Sequence, residues 1–467
     1  MPFSPFLDSR REDCKALVNE LSKTYSYVGI LGSDCTSAMI GADRKTSAIS
    51  EGSLSECGFV IKLHNGRAFF EYSLDDVSGD KVALAEKIMS AATVSAAIAD
   101  SEITVKTPND EPLVQSFCRE CDFDDFEDEE LLSRAVAIRD EVLAADEKIV
   151  NAIVRIIPFT VSKIFISKNR ELDQFYSWVN VFAMGIYRDG EKMVMAREGT
   201  YSNLMKEALD AIPAHIPTLV HKLRKLATAG PITPGVYDVI TDPSISGLIA
   251  HEAFGHGVEM DQFVKDRALA KAYVGKYVAS PICNMHDGAA AAFSTASYFF
   301  DDDGVLAKDT QIIKDGILVS GISDLVSATE LGTEPTGNGR RESYKRKAYS
   351  RMTNTFFSPG KDKLEDMIAS IKHGYMLFET NNGMEDPKNW QIQCTAEYGI
   401  EIIDGKLTDN YVSPVVMSGS VPELLKSISM VSDDFKIIGA GSCGKGYKEW
   451  VRVSDGGPAL KVRVKLA

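Results

Sequence analysis

Positive charge is in short supply. The 467 residues carry 51 Lys and Arg against 67 Asp and Glu, a formal net charge of −16. A surface of that sign repels phosphate backbones, so nucleic acid is excluded as the main ligand. Long apolar runs are also missing: nothing approaches the roughly 18 residues that a membrane-spanning helix needs. The start, Met1-Pro-Phe-Ser-Pro-Phe6, has neither the basic residues nor the apolar segment of a secretory leader. The expectation is a cytoplasmic chain with no membrane contact, whose eight cysteines stay reduced. A single Cys-x-x-Cys, Cys118-Arg-Glu-Cys121, has no second pair or neighbouring histidine, and reads as surface thiols on a linker. Histidine is rare too, with seven in the whole chain, so any crowding of it carries information.

Two of the seven stand in Gly247-Leu-Ile-Ala-His251-Glu252-Ala-Phe-Gly-His256-Gly-Val-Glu259-Met-Asp261, with three carboxylates beside them. Neutral imidazoles bind a divalent ion, and an adjacent carboxylate can take a proton from water and return it to a leaving group. The spacing departs from His-Glu-x-x-His, where histidines four apart share one helix face. Five steps of about 100° leave the second ring roughly 140° from the first on a regular helix. A local distortion is therefore required, and Gly255 and Gly257, flanking His256, suit a helix exit or a π-type bulge. The competing reading is a helix end that happens to carry histidines, with Glu252 in solvent.

The run His251-Glu-Ala-Phe-Gly-His256-Gly-Val-Glu-Met-Asp261 resembles the His-Glu-x-x-x-His signature of the TldD subunit in the TldD/PmbA (TldE) metallopeptidase family. Tyr237-Asp-Val-Ile-Thr-Asp-Pro243, Gly337-Asn-Gly-Arg-Arg-Glu-Ser-Tyr344, Arg351-Met-Thr-Asn-Thr355 and Cys443-Gly-Lys445 follow the family's order. The likeness is dense from about Pro234 onward and weak before it. It implies a zinc peptidase acting on extended or unfolded peptides, paired with a TldE/PmbA-like subunit or with itself. The family is linked to maturation of ribosomally made peptides and to antitoxin turnover.

With 44% hydrophobic and 25% charged residues, the chain is an ordinary globular one, long enough for two or more domains. The fold expected is α+β: an N-terminal α/β hairpin-sheet domain over 1–230 and a strand-rich C-terminal domain over 231–467 that carries the metal-motif helix. Arg10 to Lys23 has helical spacing, and strand-like runs follow at Tyr27–Leu31, Ser37–Ala42, Gly58–Leu63 and Ala68–Tyr72, the last two joined by a hairpin turn at His64-Asn65-Gly66. Residues 79–99 and 131–145 read as helices, with an acidic linker or insertion near 101–130 between them. Ile164 to Glu198 echoes the first hairpins, either as a duplicated sheet or because antiparallel hairpins look alike. Tyr201 to Leu226 reads as a helix broken at Pro213 and Pro217. Gly230-Pro-Ile-Thr-Pro234 marks a domain boundary, and Gly235–Thr241 a strand that enters the motif helix, capped by Asp242 or Ser244. Beyond it come strands, a helix at Lys363–His373, and hairpin turns at Asp287-Gly288, Asp303-Gly304, Asp315-Gly316 and Asp404-Gly405.

A catalytic zinc has three protein ligands plus water, so the motif is one short. Downstream candidates are Cys283, His286, Cys394 and Cys443, the last in a glycine-dense loop that leaves its thiol unshielded. The resemblance assigns the third ligand to Cys443, giving one Zn2+ per chain, although two imidazoles and a thiolate suit iron as well. Glu252 is then the general base, and Glu259 or Asp261 is either the acceptor for a ligand's free N–H or a solvated carboxylate at the helix end. Six cations between Arg340 and Arg351 suggest that Arg340, Arg341, Arg351 and Asn354 hold substrate, or that they simply salt-bridge a loop. Two other functions compete: a non-catalytic TldE-like interaction subunit, and a metal-dependent amidase for a small molecule.

Overall fold

The computed structural model describes residues 3–98, 107–446 and 449–467. Two short helices, α1 (Pro5–Ser9) and α2 (Arg11–Leu21), precede β1 (Tyr27–Ala42), β2 (Ser47–Glu51), β3 (Glu56–His64), β4 (Phe69–Leu74) and α3 (Lys81–Ile98). After β5 (Leu113–Cys118), the helix α4 (Asp128–Ala144) leads into β6 (Ile149–Ser167), β7 (Arg170–Asp189), β8 (Lys192–Ser202), α5 (Met205–Ala211) and α6 (Ile216–Thr228). All eight strands form one sheet with the path β4-β3-β1-β6-β7-β5; β2 continues beside β1, and β8 beside β7. A helix, a meander and a closing helix thus occur twice, and the two halves meet where β1 pairs antiparallel with β6.

Side-chain alternation decides which face is covered by what. Val28, Ile30 and Ile40 of β1, with Val154, Ile156, Ile164 and Ile166 of β6, pack under the helices. The opposite face presents Phe159, Val161 and Trp178 to Ala289 and Tyr298, and Leu31, Phe165 and Leu172 to Phe300. Buried ion pairs fix this second contact: Lys62 of β3 meets Asp303, and Lys163 of β6 meets Asp302.

From β9 (Gly235–Thr241) onward the chain builds two further large sheets. One joins β9 to the strands His373–Asp386 and Leu460–Leu466 and continues through Val415–Ser420 to Gln391–Ile403, which pairs back onto His373–Asp386, so the strands close into a ring. The other runs from Ile317–Leu318 through Met285–Asp287 and Asn354–Phe357 to Glu449–Gly457 and ends on Lys436–Lys445. Among the described residues, no helix is long and apolar enough to cross a membrane.

Several sequence expectations need correction. Tyr27–Leu31 and Ser37–Ala42 are one strand, because the polar stretch between them is paired on both sides, with β3 and β6. The 101–130 segment is not all linker: Leu113–Cys118 is an edge strand parallel to β7, hidden from periodicity by its largely exposed residues, while 99–106 lie outside the described residues. The helix at Lys363–His373 spans only Leu364–Ala369, and His373 already begins a strand. Asp287-Gly288 is no hairpin turn: the Asp287 carboxylate is buried and accepts hydrogen bonds from Asn338, Thr353 and Thr355. Asp315-Gly316 and Asp404-Gly405 do turn hairpins, with positive φ at both residues of each. The Pro213 break is present as a short 3-10 stretch, Ile212–His215, between α5 and α6.

Candidate metal centre

The motif helix begins where β9 ends. Asp242 caps α7 (Pro243–Leu248) by accepting from the Ile245 N–H at 2.8 Å, and its other oxygen accepts from the Glu379 N–H at 3.1 Å. That second bond ties the helix start to the strand His373–Asp386. The helix then crosses Glu449–Gly457 at contact distance: a Cβ on Gly247 would lie 2.3 Å from the Gly456 nitrogen. Only a residue without a side chain lets the helix approach so near.

After Leu248 the backbone widens into π-helix over Ile249–Gly255 and tightens to one 3-10 turn at His256–Val258. In a π-helix residues five apart nearly align, which resolves the spacing problem of His251 and His256. Their rings stand edge to face, 5.2 Å between centroids. Gly255 itself keeps ordinary helical angles, φ −61° and ψ −49°. Its glycine is needed for space instead, since a Cβ there would lie 2.1 Å from the buried Met352 sulfur.

Cys443, 187 residues downstream of His256, comes from the terminal strand Lys436–Lys445 and brings its sulfur to 3.4 Å from His256 Nε2. One donor atom each from His251, His256 and Cys443 fall within 4.8 Å of one another, the only such group of three among the described residues. A tetrahedral zinc with bonds of about 2.0–2.3 Å sets its ligand atoms roughly 3.5 Å apart, so the donor set fits. Cys283 and Cys394 are buried outside this group of three, and His286 pairs with Asp309. His251 Nδ1 is buried with no hydrogen-bond partner, while the ring also interacts with Cys443.

The thiol and the two rings shift one another's protonation, and a bound ion would displace the protons the rings then carry. Burial opposes charge on both rings, yet the neighbouring sulfur outweighs it, lifting His251 to about 9 and His256 well above its ordinary value. Burial likewise opposes a Cys443 thiolate, and the two imidazoles still bring the thiol well below its usual range. Glu252, 3.9 Å from His256 Nε2, has its carboxyl raised, chiefly by burial. Asp455, on the same cleft wall, is pushed up to about 6 by the same cause.

The surrounding groups hold these side chains in place. Glu259 Oε2 lies 3.2 Å from His256 Nδ1, which fixes the proton there and leaves Nε2 facing the sulfur. Asp261, the other acceptor expected from the sequence, is engaged by Lys445 instead. Lys445 bridges Glu259 at 2.9 Å and Asp261 at 2.7 Å, so the residue two after Cys443 locks the thiol's strand to the histidine's helix. Sequence reasoning gave Lys445 no role, although Cys-Gly-Lys had singled it out.

The cationic stretch is the main correction. Arg351 is fully buried and donates to the carbonyls of Cys443, at 2.6 Å, and Glu449. Asn354, equally buried, donates to the Gly288 and Ala292 carbonyls and to Ser297. Arg341 pairs with Glu71 at 3.1 Å and the Arg346 carbonyl. These three are buried and bonded mainly to the protein itself, although Arg341 Nε, Arg351 Nε and Asn354 Oδ1 have no partner among the described residues. Arg340 differs: it is half-buried, with only the Met352 carbonyl and the Tyr298 ring as neutral partners. Cys118 and Cys121 are free thiols outside any donor cluster.

The donors open onto a cleft of about 860 Å³ lined by Glu252, Gly383, Glu385, Trp450 and Asp455 among others. Residues 234–466 match the family described as PmbA/TldA metallopeptidase C-terminal domain. A metalloprotease of Methanothermobacter thermautotrophicus is 28% identical over 96% of both chains. A zinc metalloprotease TldD homolog of Saccharolobus solfataricus is 33% identical over 49% of this chain and 51% of its own. The crystal structure of TldE from Thermococcus kodakarensis superposes with a TM-score of 0.74 at 17% identity, over 97% of this chain and 100% of that one. With the same fold, the same carboxyl-terminal half and a histidine–cysteine cluster at its centre, the chain belongs to the TldD/PmbA family of metallopeptidases.

Proposed function

We propose that this chain is a zinc-dependent peptidase that hydrolyses peptide bonds in extended peptides, working beside a TldE-type subunit. The observation that carries this reading is the two-imidazole, one-thiolate donor set on the wall of an open cleft with Glu252 alongside. His251, His256 and Cys443 would hold the ion, which when bound supplies Lewis acidity and lowers the pKa of water in the site. Glu252 takes the proton from that water on a carboxylate oxygen and delivers it to the departing amine. Burial makes this carboxylate more basic than an exposed one, which suits the task.

The shape of the site favours a chain over a compact small-molecule substrate. Lys436–Lys445 is the last strand of its sheet and, among the described residues, pairs only with Glu449–Gly457. Its other edge pairs with no strand among the described residues, and an extended peptide would add there with the Cys443 carbonyl already held by Arg351. Met384 and Trp450, both on the cleft wall and largely exposed, are apolar surfaces that a peptide or partner subunit would cover. TldE shares this fold, so the fold alone does not separate a catalytic from a non-catalytic chain; the donor cluster and Glu252 favour the catalytic role.

The test combines metal content with cleavage of an unstructured peptide. The Glu252→Gln chain is expected to keep its zinc and lose cleavage by at least about a hundredfold, the scale of a missing general base. Full activity in that variant, or purified protein with no metal and no affinity for it, would overturn the proposal.

A further inference from the structure

A second, smaller cavity of about 110 Å³ lies between the first sheet and the strand Glu449–Gly457, and its walls carry four cations. Two of them are committed: Lys163 to Asp302, and Arg341 to Glu71. The other two, Arg340 and Arg452, have no acidic partner among the described residues. Arg452 stands opposite Ser442 on the ladder, one rung from Cys443 and therefore on the other face of the strand pair. Its guanidinium carbon lies 4.2 Å from the Phe159 ring centroid, and its Nε is buried without a partner. Arg340 lies 5.6 Å from the Tyr298 centroid and gives one hydrogen bond, to the Met352 carbonyl.

Carboxylates on the same wall do not neutralise this pair. Of the four carboxylates there, Glu56 accepts from the Tyr344 N–H, Glu342 from the Trp450 N–H and Asp301 from the Gly339 N–H, while Asp302 pairs with Lys163; none forms a salt bridge with Arg340 or Arg452 among the described residues. Burial alone, with no opposing charge, pulls Arg452 down to about 10. Arg452 is half-buried with its Nε sealed from solvent, and an anion that supplied the missing acceptor would offset the cost of leaving that group unpaired. The volume admits a single carboxylate-sized group. Exposed Leu54 and Trp450 belong to its rim, and Trp450 also forms part of the metal cleft's wall.

We propose that this cavity is an anion subsite in which Arg452 and Arg340 receive a carboxylate of the peptide that lies in the metal cleft. The inference rests on the peptidase reading for its ligand. The carboxylate comes from an Asp or Glu side chain or from the peptide's own carboxyl terminus, one or the other reaching past the Trp450 ring. The subsite would make the enzyme select acidic peptides despite the chain's negative charge.

Binding can be measured without cleavage on the zinc-loaded Glu252→Gln chain. A labelled unstructured peptide with Glu scanned along its length, its Gln counterparts, and versions with an amidated terminus are titrated by fluorescence anisotropy. One placement of negative charge is expected to bind about tenfold tighter than its neutral counterpart, the scale of one charge-assisted hydrogen bond. Whether the Gln change or the amidation removes the gain identifies the source of the carboxylate. Arg452→Gln should abolish the preference and leave the neutral peptide's affinity unchanged, while Arg452→Lys retains part of it. Because Arg452 has no acid partner among the described residues, both variants should stay folded, with Tm lowered by no more than the lost stacking on Phe159 accounts for. Equal affinity for every charged and neutral pair, or a preference surviving in both Arg452→Gln and Arg340→Gln, overturns the subsite. A chain that binds acidic peptides selectively and cleaves none overturns the peptidase reading instead.

Discussion

Glu252 is held in position from behind by a glycine, and filling that space should separate catalysis from metal binding. A Cβ on Gly383 would lie 2.6 Å from Glu252 Cγ, 3.2 Å from its Cβ and 3.1 Å from Leu248 Cδ1. Carbon atoms rest about 3.5–4.0 Å apart, so Gly383→Ala creates an overlap of roughly 1 Å. Leu248 is buried and cannot absorb it, whereas the Glu252 side chain borders the open cleft and can swing. Displacing a catalytic group by about 1 Å costs on the order of a hundredfold in rate, or about 2.7 kcal/mol of barrier. The overpacking itself should cost about 1–3 kcal/mol of stability. His251, His256 and Cys443 are not among the atoms this Cβ meets, so zinc stoichiometry should be that of the parent. Gly419→Ala is the control, because nothing lies within 4 Å of a Cβ there. The assay is kcat on an unstructured peptide with metal counted in the same sample. A Gly383→Ala enzyme with full kcat, native Tm and native zinc would refute the argument that this strand sets the position of Glu252.

Three further outcomes follow from the same geometry. Lys445→Met strands the buried carboxylates of Glu259 and Asp261, and breaking such a pairing costs about 3–5 kcal/mol, so chemical denaturation should show a midpoint well below the parent's. Arg351→Lys keeps the charge but cannot fork to the carbonyls of Cys443 and Glu449; zinc affinity should fall about 10–100-fold in competition with a chelating dye while the fold persists. Chelation should leave the circular dichroism of the parent chain essentially unchanged, because Lys445 and Arg351 hold the ligand-bearing elements together by direct hydrogen bonds. Unfolding on chelation would mean that the ion, not these side chains, assembles the site.

Local chemistry was legible from local sequence. Cys14, Leu17, Val18 and Leu21 fall at helical spacing and form the buried stripe of α2. Of the two caps that the sequence offers, Asp242 and Ser244, the structure uses Asp242, with Pro243 in the first turn. The five-residue histidine spacing demanded a distorted helix, and the π turn supplies it. Where burial was partial, the signal faded: β5 is an exposed edge strand, and its alternation carries no hydrophobic face to detect. The cationic stretch misled for a related reason, because a list of charges does not say which ones are buried. Arg351 and Arg341 turned inward to carbonyls and Glu71, whereas Lys345, Arg346 and Lys347 stayed in solvent.

The sequence alone marked His251 and His256 as candidate ligands, required a distortion in their helix, and set which repeating patterns would become sheet and helix, since each depends on residues a few positions apart. The tertiary structure decided the rest. It brought a thiol 187 residues away to 3.4 Å from His256, made Lys445 the clasp between two acids, and left Arg452 and Arg340 unpaired in a shared cavity. Burial and pairing across such separations are properties of the packed chain as a whole, and no local window contains them.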